Sequence, residues 1–397
     1  MDSHRGSTRP SQSTAVNGSQ RHYNMKKINQ VTVLSSFPPV KGITPYTVEL
    51  VRELEKSAEV QGIGFNAIYP EFLYKRGTKD DSLKMPDLKN TEVQNTITWY
   101  SPFSWVKAGR KVQGDILHVQ WWSWPLAPIY WVILKVARFR GKKIIMTVHN
   151  LVPHEASALK KWMNTSVLHL ADKFIVHSQA QAEALQILYP ETAVKVIPHG
   201  ILTGPNSGLT RHAARGELAI SPEKKVILFF GNIRPYKGLD NLLRAVHELR
   251  KQDSKILLII AGQCWEDWKK YKKIIDELDL SGCILRIQGF LSEEQVETVF
   301  KASDLLVLPY KAFDAQSGVA ALSLFYELPL MVSKIAGLTE MTVDESLVFW
   351  TGDTVELAEK IRKFFSGKED YAIRIRELKK EFDWKKIAEE TVKFYEL

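Results

Sequence analysis

Residues 231–239 read Gly-Asn-Ile-Arg-Pro-Tyr-Lys-Gly-Leu, and this stretch decides the fold. It follows an apolar run, 226–230, that predicts a buried strand, and it leads into an amphipathic helix predicted from about Lys237 to Arg250. A glycine turn between a strand and a helix exposes backbone N–H groups, to which the helix dipole adds partial positive charge. Because Arg234 and Lys237 add two full charges, the junction favours a polyanion, and a nucleotide diphosphate fits. Taken alone, the stretch also fits a turn without a ligand, because many strand-to-helix turns carry a glycine for steric reasons and a lysine that is simply solvated.

Length and composition narrow the class of protein. The 397 residues predict two or three domains, and 45% hydrophobic and 25% charged residues are ordinary for a soluble globular protein. The two cysteines, Cys264 and Cys283, exclude a disulfide framework and a four-cysteine zinc site, and they suit a reducing cytoplasm. A net charge of +9 favours anionic partners such as nucleotides or phospholipid headgroups, or it reflects a mildly basic surface without a specific partner. No nucleic-acid-binding motif is visible, so nucleic acid is not an expected partner.

Residues 1–24 differ from the rest of the chain. They are rich in Ser, Gln, Asn and Arg and contain no apolar core, so they predict neither a signal peptide nor a membrane span. We interpret them as a disordered tail, a cloning remnant, or translation upstream of a true start at Met25.

The remaining sequence alternates between strand-like and helix-like segments, which predicts two doubly wound, Rossmann-like α/β domains facing each other across a cleft. A loop-rich stretch at 200–208 marks the linker, so we predict an N-terminal acceptor domain over 25–203 and a C-terminal donor domain over 204–383. A C-terminal helix, 384–397, is expected to pack back on the N-terminal domain. The predicted strands are 31–35, 115–120, 143–149, 173–177 and 195–198 in the first domain and 226–230, 255–261, 284–288, 305–308 and 330–333 in the second.

The segment 119–138 is unusually rich in tryptophan. Its two prolines, a glutamine and Lys135 make a membrane span a poor interpretation. Trp121 and Trp122 either pack in the core and loops or line a pocket for a sugar or lipid acceptor.

Several segments in a fixed order carry a resemblance to a known family. The chain resembles the large group 1, or family 4, class of retaining glycosyltransferases, which have the GT-B fold, and the resemblance covers nearly all of residues 27–397. The matching segments are Phe37–Gly42, Thr147–Asn150, Val176–Ser178, Val196–Gly200, Gly231–Gly238, Asp304–Pro309 leading to Asp314, and Ala336–Glu340.

The resemblance implies a site for a nucleotide-diphosphate sugar. Its phosphates would lie against Gly42, Arg234, Lys237, Ser317 and Gly318, where the two cations and the helix beginning near Ser317 could neutralise the leaving group. No Asp-x-Asp motif occurs in the chain, so we expect no metal site and no cofactor beyond the donor substrate.

The resemblance also assigns roles at the sugar. The histidine that matches His149 contacts the donor sugar in the family, and Asp314 would bind sugar hydroxyls; the alternatives are a structural histidine and a helix cap. His154 is a candidate for the acceptor side. We interpret His177 and His199 as packing or loop residues.

Several positions depart from the family pattern, among them Ile43 in place of a second loop glycine and Ala315-Gln316 in place of a glycine and an aromatic residue. The second acid of the paired motif falls on Leu322, which cannot accept the hydrogen bonds of a nucleotide ribose, and Asn232 stands where the family often has arginine. Ribose recognition is therefore expected to be altered.

Together these features predict a glycosyltransferase that moves a sugar from a nucleotide-diphosphate sugar to a hydroxyl acceptor, with retention, in glycan, polysaccharide or glycolipid synthesis. We expect a cytoplasmic protein with a carbohydrate or lipid-linked acceptor and peripheral binding to an anionic membrane surface. The alternative is a non-catalytic nucleotide-sugar-binding subunit that scaffolds or regulates a partner transferase. A nicotinamide-dependent enzyme is disfavoured because Gly-x-Gly-x-x-Gly is missing after the first strand.

Overall fold

Two α/β domains, each built on a fully parallel sheet, form the protein in a computed structural model. The structure describes residues 28–69, 78–80, 84–151, 158–201, 204–313, 316–367 and 369–396.

The N-terminal sheet has seven strands in the order β3-β2-β1-β4-β5-β6-β7, the doubly wound arrangement in which the strand order reverses beside β1. The strands are β1 Gln30–Leu34, β2 Glu59–Ala67, β3 Thr91–Thr98, β4 Ile116–Trp121, β5 Lys143–Val148, β6 Lys173–Val176 and β7 Ala193–Val196. The helices between them are α1 Thr44–Leu54, α2 Pro102–Lys111, α3 Ala127–Phe139, α4 Ala158–Leu168 and α5 Gln179–Leu188.

The C-terminal sheet repeats the same winding with six strands in the order β10-β9-β8-β11-β12-β13. The strands are β8 Lys225–Phe230, β9 Ile256–Gly262, β10 Ile284–Gln288, β11 Leu305–Leu308, β12 Leu330–Ser333 and β13 Val348–Phe349. The helices are α6 Arg211–Glu217, α7 Leu239–Arg250, α8 Lys269–Glu277, α9 Glu293–Ala302, α10 Gly318–Phe325, α11 Ala336–Thr339, α12 Thr354–Ser366, α13 Ala372–Glu381 and α14 Trp384–Glu396.

Helix α14 returns to the N-terminal domain and packs beside α1. Its residues Trp384, Ile387 and Phe394 share a buried apolar cluster with β1 and α1, whereas α2, α3 and α4 contribute to the separate cluster on the opposite face of the sheet. Polar contacts fasten the end of α14, because Lys173 Nζ donates to the carbonyl of Phe394 at 2.8 Å. The N-terminal sheet is thereby covered on both faces, as a parallel sheet requires.

Strands β2 and β3 lie outside the strands predicted from the sequence. β2 contains Gly62 and Gly64, which weaken a strand pattern, yet both are needed at these positions: a Cβ on Gly62 would lie 2.9 Å from Cζ of Phe37. β3 is mostly half-buried and polar at the sheet edge, so it lacks an apolar run. Helix α7 begins at Leu239 rather than Lys237, because residues 235–237 form a separate 3-10 turn.

Candidate active site

The phosphate candidates Gly42, Arg234, Lys237, Ser317 and Gly318 follow strands beside the two positions where the strand order reverses, whereas His149 follows β5, one strand further along. In doubly wound sheets this crevice beyond the carboxyl ends of strands is where ligands bind. In the C-terminal domain it lies between the loops after β8 and β11, and in the N-terminal domain between the loops after β1 and β4.

The loop after β8 is held in a shape that only glycines allow. Gly231 and Gly238 have φ of 101° and 68°, in the left-handed region. A Cβ on Gly238 would lie 1.9 Å from the carbonyl oxygen of Pro309, which follows β11. The loops after β8 and β11 are therefore in direct backbone contact, and a larger residue at position 238 would push them apart.

Lys237 is the buried cation of this loop. Its side chain is 7% exposed, and its Nζ lies 5.0 Å from the ring centre of Tyr310. Burial disfavours its charged form, but Tyr310 and Tyr236 outweigh that effect and raise the pKa of Lys237 above its usual value. Among the described carboxylates, Asp240 pairs with Lys311 at 2.7 Å, and none pairs with Lys237. A buried ammonium without a carboxylate partner is a strong point of attraction for a phosphate.

Arg234 is exposed at the mouth of the same loop. Its guanidinium carbon lies 5.2 Å from the ring centre of Trp265, a cation–π contact. The indole N–H of Trp265 donates to the side chain of Asn232 at 3.0 Å. Asn232, at the position of the family arginine, therefore orients the tryptophan on which Arg234 rests.

The beginning of α10 adds backbone donors to this crevice. Ser317 is its N-cap, is 4% exposed and makes no side-chain capping hydrogen bond, and the helix starts at Gly318. The Ser317 hydroxyl lies 3.4 Å from the hydroxyl of Tyr310, whose ring also contacts Lys237. Two of the predicted phosphate ligands, Lys237 and Ser317, thus contact a single tyrosine, and Gly318 follows Ser317 in the chain.

Gly42 belongs to the opposite domain, in the loop between β1 and α1. It is exposed, its φ is 128°, and a Cβ there would lie 3.1 Å from the hydroxyl oxygen of Ser36. The adjacent Lys41 lies 5.9 Å from the ring centre of Phe290 in the C-terminal domain. The loop carrying Gly42 therefore faces the domain that carries the two cations.

His149 follows β5, but its imidazole turns into the protein. It is 7% exposed, with Nε2 at 2.7 Å from the Gln120 side chain and Nδ1 at 3.1 Å from Nε2 of His177. Burial, reinforced by His177, His199 and His118, lowers the pKa of His149 well below its ordinary value. The ring is thus a neutral member of a hydrogen-bonded network.

His177 and His199, interpreted from the sequence as packing or loop residues, join His149 in one cluster around Tyr46. The ring centres of these three histidines lie 4.7 to 5.4 Å from that of Tyr46. The sequence contained a signal that these three histidines lie close together. Each histidine follows the end of one of three consecutive strands, β5, β6 and β7, which are neighbours in the sheet.

Hydrogen bonds across the cleft join the domains next to this cluster. The backbone N–H of His199 donates to Gln316 at 2.7 Å, and Gln316 donates to Glu340 at 3.3 Å. Glu340 also accepts from the backbone N–H of Gln179 at 3.2 Å, and burial raises its pKa.

The two tryptophans predicted for an acceptor have different positions. Trp121 is 1% exposed and donates its indole N–H to Asn164 at 2.7 Å, so it packs in the core, as the alternative interpretation held. Trp122 is half-buried and lies beside Gly42, where a Cβ would be 3.8 Å from its ring. His154 and Asp314 lie outside the described residues.

Neither Leu322 nor Glu327 supplies the second acid of the family motif. Leu322 is half-buried on α10 and packs against the core of the C-terminal domain. Glu327 lies beyond the end of that helix, exposed, with a carboxylate oxygen 3.8 Å from Nζ of Lys379. Within the described residues, no group of three His, Cys, Asp or Glu side chains could hold a metal ion.

Two Rossmann-like domains, with a glycine loop in the first that faces the second, define a GT-B protein. Comparison with known families agrees: the model described as Glycosyltransferase Family 4 matches residues 40–203, and that described as Glycosyl transferases group 1 matches residues 210–381. The chain belongs to this glycosyltransferase family.

Individual relatives are distant. The chain is 27% identical over 177 residues to the lipopolysaccharide 1,2-N-acetylglucosaminetransferase of Salmonella typhimurium, covering 43% of this chain and 46% of the relative. It is 24% identical over 307 residues to the D-inositol 3-phosphate glycosyltransferase of Saccharomonospora viridis, covering 71% and 69%. The chain thus spans about half of the first of these relatives.

Solved structures share the fold over nearly the whole chain. Sucrose-phosphate synthase from Thermosynechococcus elongatus superposes with a TM-score of 0.68 at 18% identity, covering 92% of this chain and 98% of that one. Anabaena HepE in complex with UDP and glucose gives a TM-score of 0.68 at 15% identity, covering 92% and 99%.

Proposed function

We propose that the protein transfers a sugar from a nucleotide-diphosphate sugar to a hydroxyl acceptor. The observation that carries the proposal is the position of Lys237, a buried cation without a carboxylate partner among the described residues. It lies in the loop after β8 against the ring of Tyr310, whose hydroxyl is 3.4 Å from that of Ser317 at the start of α10. When the glycosidic bond breaks, negative charge grows on the diphosphate. Lys237, Arg234 and the N–H groups at Gly318 are fixed before the reaction and would stabilise that charge without a metal.

The relatives guide the choice of substrates. HepE was solved with UDP and glucose, and the Escherichia coli trehalose-6-phosphate structure holds UDP-2-fluoro glucose, so UDP-sugars are the first donors to test. The named relatives act on lipopolysaccharide and on inositol 3-phosphate, which favours a carbohydrate or lipid-linked hydroxyl acceptor for this chain. We infer retention of anomeric configuration from the family resemblance, with the leaving phosphate assisting the incoming hydroxyl.

A donor screen tests this function. The protein is incubated with UDP-, GDP-, ADP- and dTDP-sugars, with and without membranes as a source of acceptor, and nucleotide release and thermal shift are measured. We expect one base and one sugar to be preferred and to release nucleotide. Stabilisation by a nucleotide sugar without transfer to any acceptor or to water would favour the scaffolding alternative.

We also propose peripheral binding to an anionic membrane, from a surface that we call the α2–α3 face. It carries apolar and cationic side chains at helical spacing: Phe103, Lys107 and Arg110 on α2, and Trp131, Lys135 and Phe139 on α3. Phe103 and Phe139 are 88% and 95% exposed, and neither helix contains an acidic residue. Large exposed aromatic residues among unopposed cations fit the boundary of an anionic bilayer.

The two helices hold this surface together as one unit. A Cβ on Gly109 of α2 would lie 2.7 Å from Cβ of Val136 on α3, so the helices are in close contact. No helix in the described parts of the chain has the length and apolar character to cross a bilayer. The unpaired thiols Cys264 and Cys283 favour the cytoplasmic leaflet, which is the anionic one.

Vesicle flotation tests the membrane proposal. We expect binding to vesicles with anionic lipid at low salt, weaker binding at high salt, and loss of binding when Phe103 and Phe139 are both replaced by serine. Ile187→Ser on α5 is the matched control, since Ile187 is 82% exposed on another surface. Equal flotation of the double variant and the wild type would contradict the proposal.

A further inference from the structure

Three imidazoles meet where the chain passes from the N-terminal to the C-terminal domain, and their ring nitrogens differ in what they bind. The nitrogens of His149 and His177 are bound to each other and to neighbouring groups, whereas His199 has a hydrogen bond on Nδ1 alone among the described residues. The protonation of each ring follows from its partners.

His177 fixes the first assignment. Its Nδ1 lies 2.9 Å from the carbonyl oxygen of Ile197, and since a carbonyl can only accept, Nδ1 carries the proton. Burial, together with His199, lowers the pKa of His177 to about 3, so the ring is neutral and its Nε2 must accept. The donor to that nitrogen is Nδ1–H of His149 at 3.1 Å. His149 therefore carries its proton on Nδ1 and a lone pair on Nε2.

The next assignment concerns the Gln120 side chain, which lies 2.7 Å from Nε2 of His149. The structure places Oε1 of Gln120 at that nitrogen and Nε2 of Gln120 3.2 Å from Nε2 of His118. Because Nε2 of His149 accepts, we assign the amide the reverse orientation, with its N–H towards His149 and its oxygen towards His118. His118 then carries its proton on Nε2, which can also donate to Thr147 Oγ1 at 2.7 Å. Its Nδ1 accepts from the Tyr395 hydroxyl at 2.6 Å. The opposite orientation of Gln120 would require a charged ring at either His149 or His177.

His199 is the exception in this cluster. Its Nδ1 donates to the carbonyl of Gly200 at 2.9 Å, and burial lowers its pKa to about 4, so Nε2 is a lone pair on a neutral ring. No described residue occupies that lone pair. Its backbone N–H is bound to Gln316, the residue before the N-cap of α10. His199 is thus half-buried in the wall of the cleft, next to the donor-side helix.

We propose that His199 contacts the substrate, through a hydrogen bond from a sugar hydroxyl to its Nε2. The proposal rests on the proposed transferase function for the identity of the ligand as a nucleotide sugar. Gln120 and His177 are then positioning residues: with His149 they form a neutral network behind Tyr46, whose ring contacts His199. His199 would bind the sugar through its ring and the C-terminal domain through the hydrogen bond from its backbone N–H to Gln316.

Calorimetry and kinetics with UDP and a UDP-sugar test the proposal, with the donor that the screen selects. His199→Ala should leave affinity for the nucleotide diphosphate unchanged and weaken affinity for the sugar nucleotide roughly 10- to 100-fold, the usual effect of one lost hydrogen bond in a buried site. His199→Gln, which retains an acceptor oxygen, should recover part of that loss. His212→Ala on the exposed surface of α6 is the control for removal of a histidine.

A series of deoxy-sugar donors identifies the contact. The donor that lacks the contacted hydroxyl should bind equally to the wild type and to His199→Ala. If His199→Ala loses no more affinity for any sugar nucleotide than His212→Ala does, the proposal is wrong. Because these are binding measurements, they remain decisive even if the wild-type protein transfers no sugar.

Nitrogen-15 NMR of the histidine rings tests the assignments independently. We expect His149, His177 and His199 all to be neutral with the proton on Nδ1 at pH 7. A proton on Nε2 of His199 would remove the lone pair that the sugar hydroxyl needs, and this result would overturn the proposal.

Discussion

Gly200 and Trp384 are packed so closely that a Cβ on Gly200 would lie 2.3 Å from Cε2 of the indole. The indole N–H donates to the carbonyl of Ile201 at 2.7 Å, and the backbone N–H of Ile201 donates to the carbonyl of Phe382 at 3.1 Å. The segment that links the domains and the start of the C-terminal helix therefore hold each other in place.

Replacing Gly200 by alanine should destabilise the protein. Overpacking of a rigid contact typically costs about 1–3 kcal/mol, and we expect a lower urea midpoint together with weaker donor binding, because His199 is the neighbouring residue. The control is Gly216→Ala in helix α6, where a Cβ meets nothing within 4 Å and should be neutral or stabilising. A Gly200→Ala protein as stable as the wild type would show that the contact can relax.

Lys237→Ala should lower turnover by roughly 10²- to 10³-fold, as expected for the loss of one fixed donor at a developing anion. The comparison is Lys251→Ala at the end of α7, where an exposed lysine pairs with Glu248 at 2.8 Å. Steady-state rates with the preferred donor, and circular dichroism to verify folding, decide the matter. Near-normal turnover in a folded Lys237→Ala protein would show that Lys237 does not stabilise the leaving phosphate.

The strand, glycine turn and helix of residues 226–250 could be predicted because their pattern is local, and binding of a phosphate there stays a prediction. The alternation of strands and helices likewise predicted two doubly wound domains, which the sheet order confirms. β2 was missed because its glycines serve a contact with Phe37, which is distant in sequence.

The histidine network illustrates what local patterns leave out. Which nitrogen of His149 is engaged depends on Gln120 and His177, each about 30 residues away along the chain and on neighbouring strands. The sequence located the histidine at the end of a strand, but the direction of its ring depends on partners that only the register of the sheet brings together.

We predict that activity needs no divalent metal. On the proposed function, the charge that a metal would supply at the diphosphate would come from Lys237 and Arg234 and from the start of α10. Turnover should be the same in excess EDTA as in added Mg²⁺ or Mn²⁺. Loss of activity in EDTA that either metal restores would contradict this prediction.

Stability should fall as the pH falls from 6.5 towards 4. Burial lowers the pKa of His118 to about 3, and burial with His199 lowers that of His177 to about 3, so both stay neutral when folded. Unfolded histidine titrates near 6.5, so in this window the unfolded chain binds more protons and gains at most about 1.4 kcal/mol per pH unit from each ring. The stabilisation is complete above pH 6.5 and declines below it.

Urea midpoints between pH 7.5 and 4.5 measure this dependence. His199→Gln should reduce the slope, because the pKa of His199 is also lowered, to about 4, by burial. His212→Gln on the exposed surface should leave it unchanged. A flat profile between pH 6.5 and 5 would show that the imidazoles are not held neutral.

The last prediction concerns Leu322, which replaces the acid that the family resemblance assigns to the nucleotide ribose. Leu322 is half-buried on α10, and the nearby Glu327 is engaged with Lys379 beyond the end of the helix, so neither side chain offers a carboxylate for ribose hydroxyls. The donor should then be held through its diphosphate and sugar, and a 2′-deoxy donor should be used nearly as well as the ribo form. Leu322→Glu should tighten binding of the ribo form selectively, by about 1–3 kcal/mol if the new carboxylate reaches the hydroxyls, while Leu322→Met controls for a change of packing alone. Affinities for both donors with the three proteins give the answer. If the wild type rejects the 2′-deoxy donor, another residue has taken over the ribose, and Leu322 has not removed its recognition.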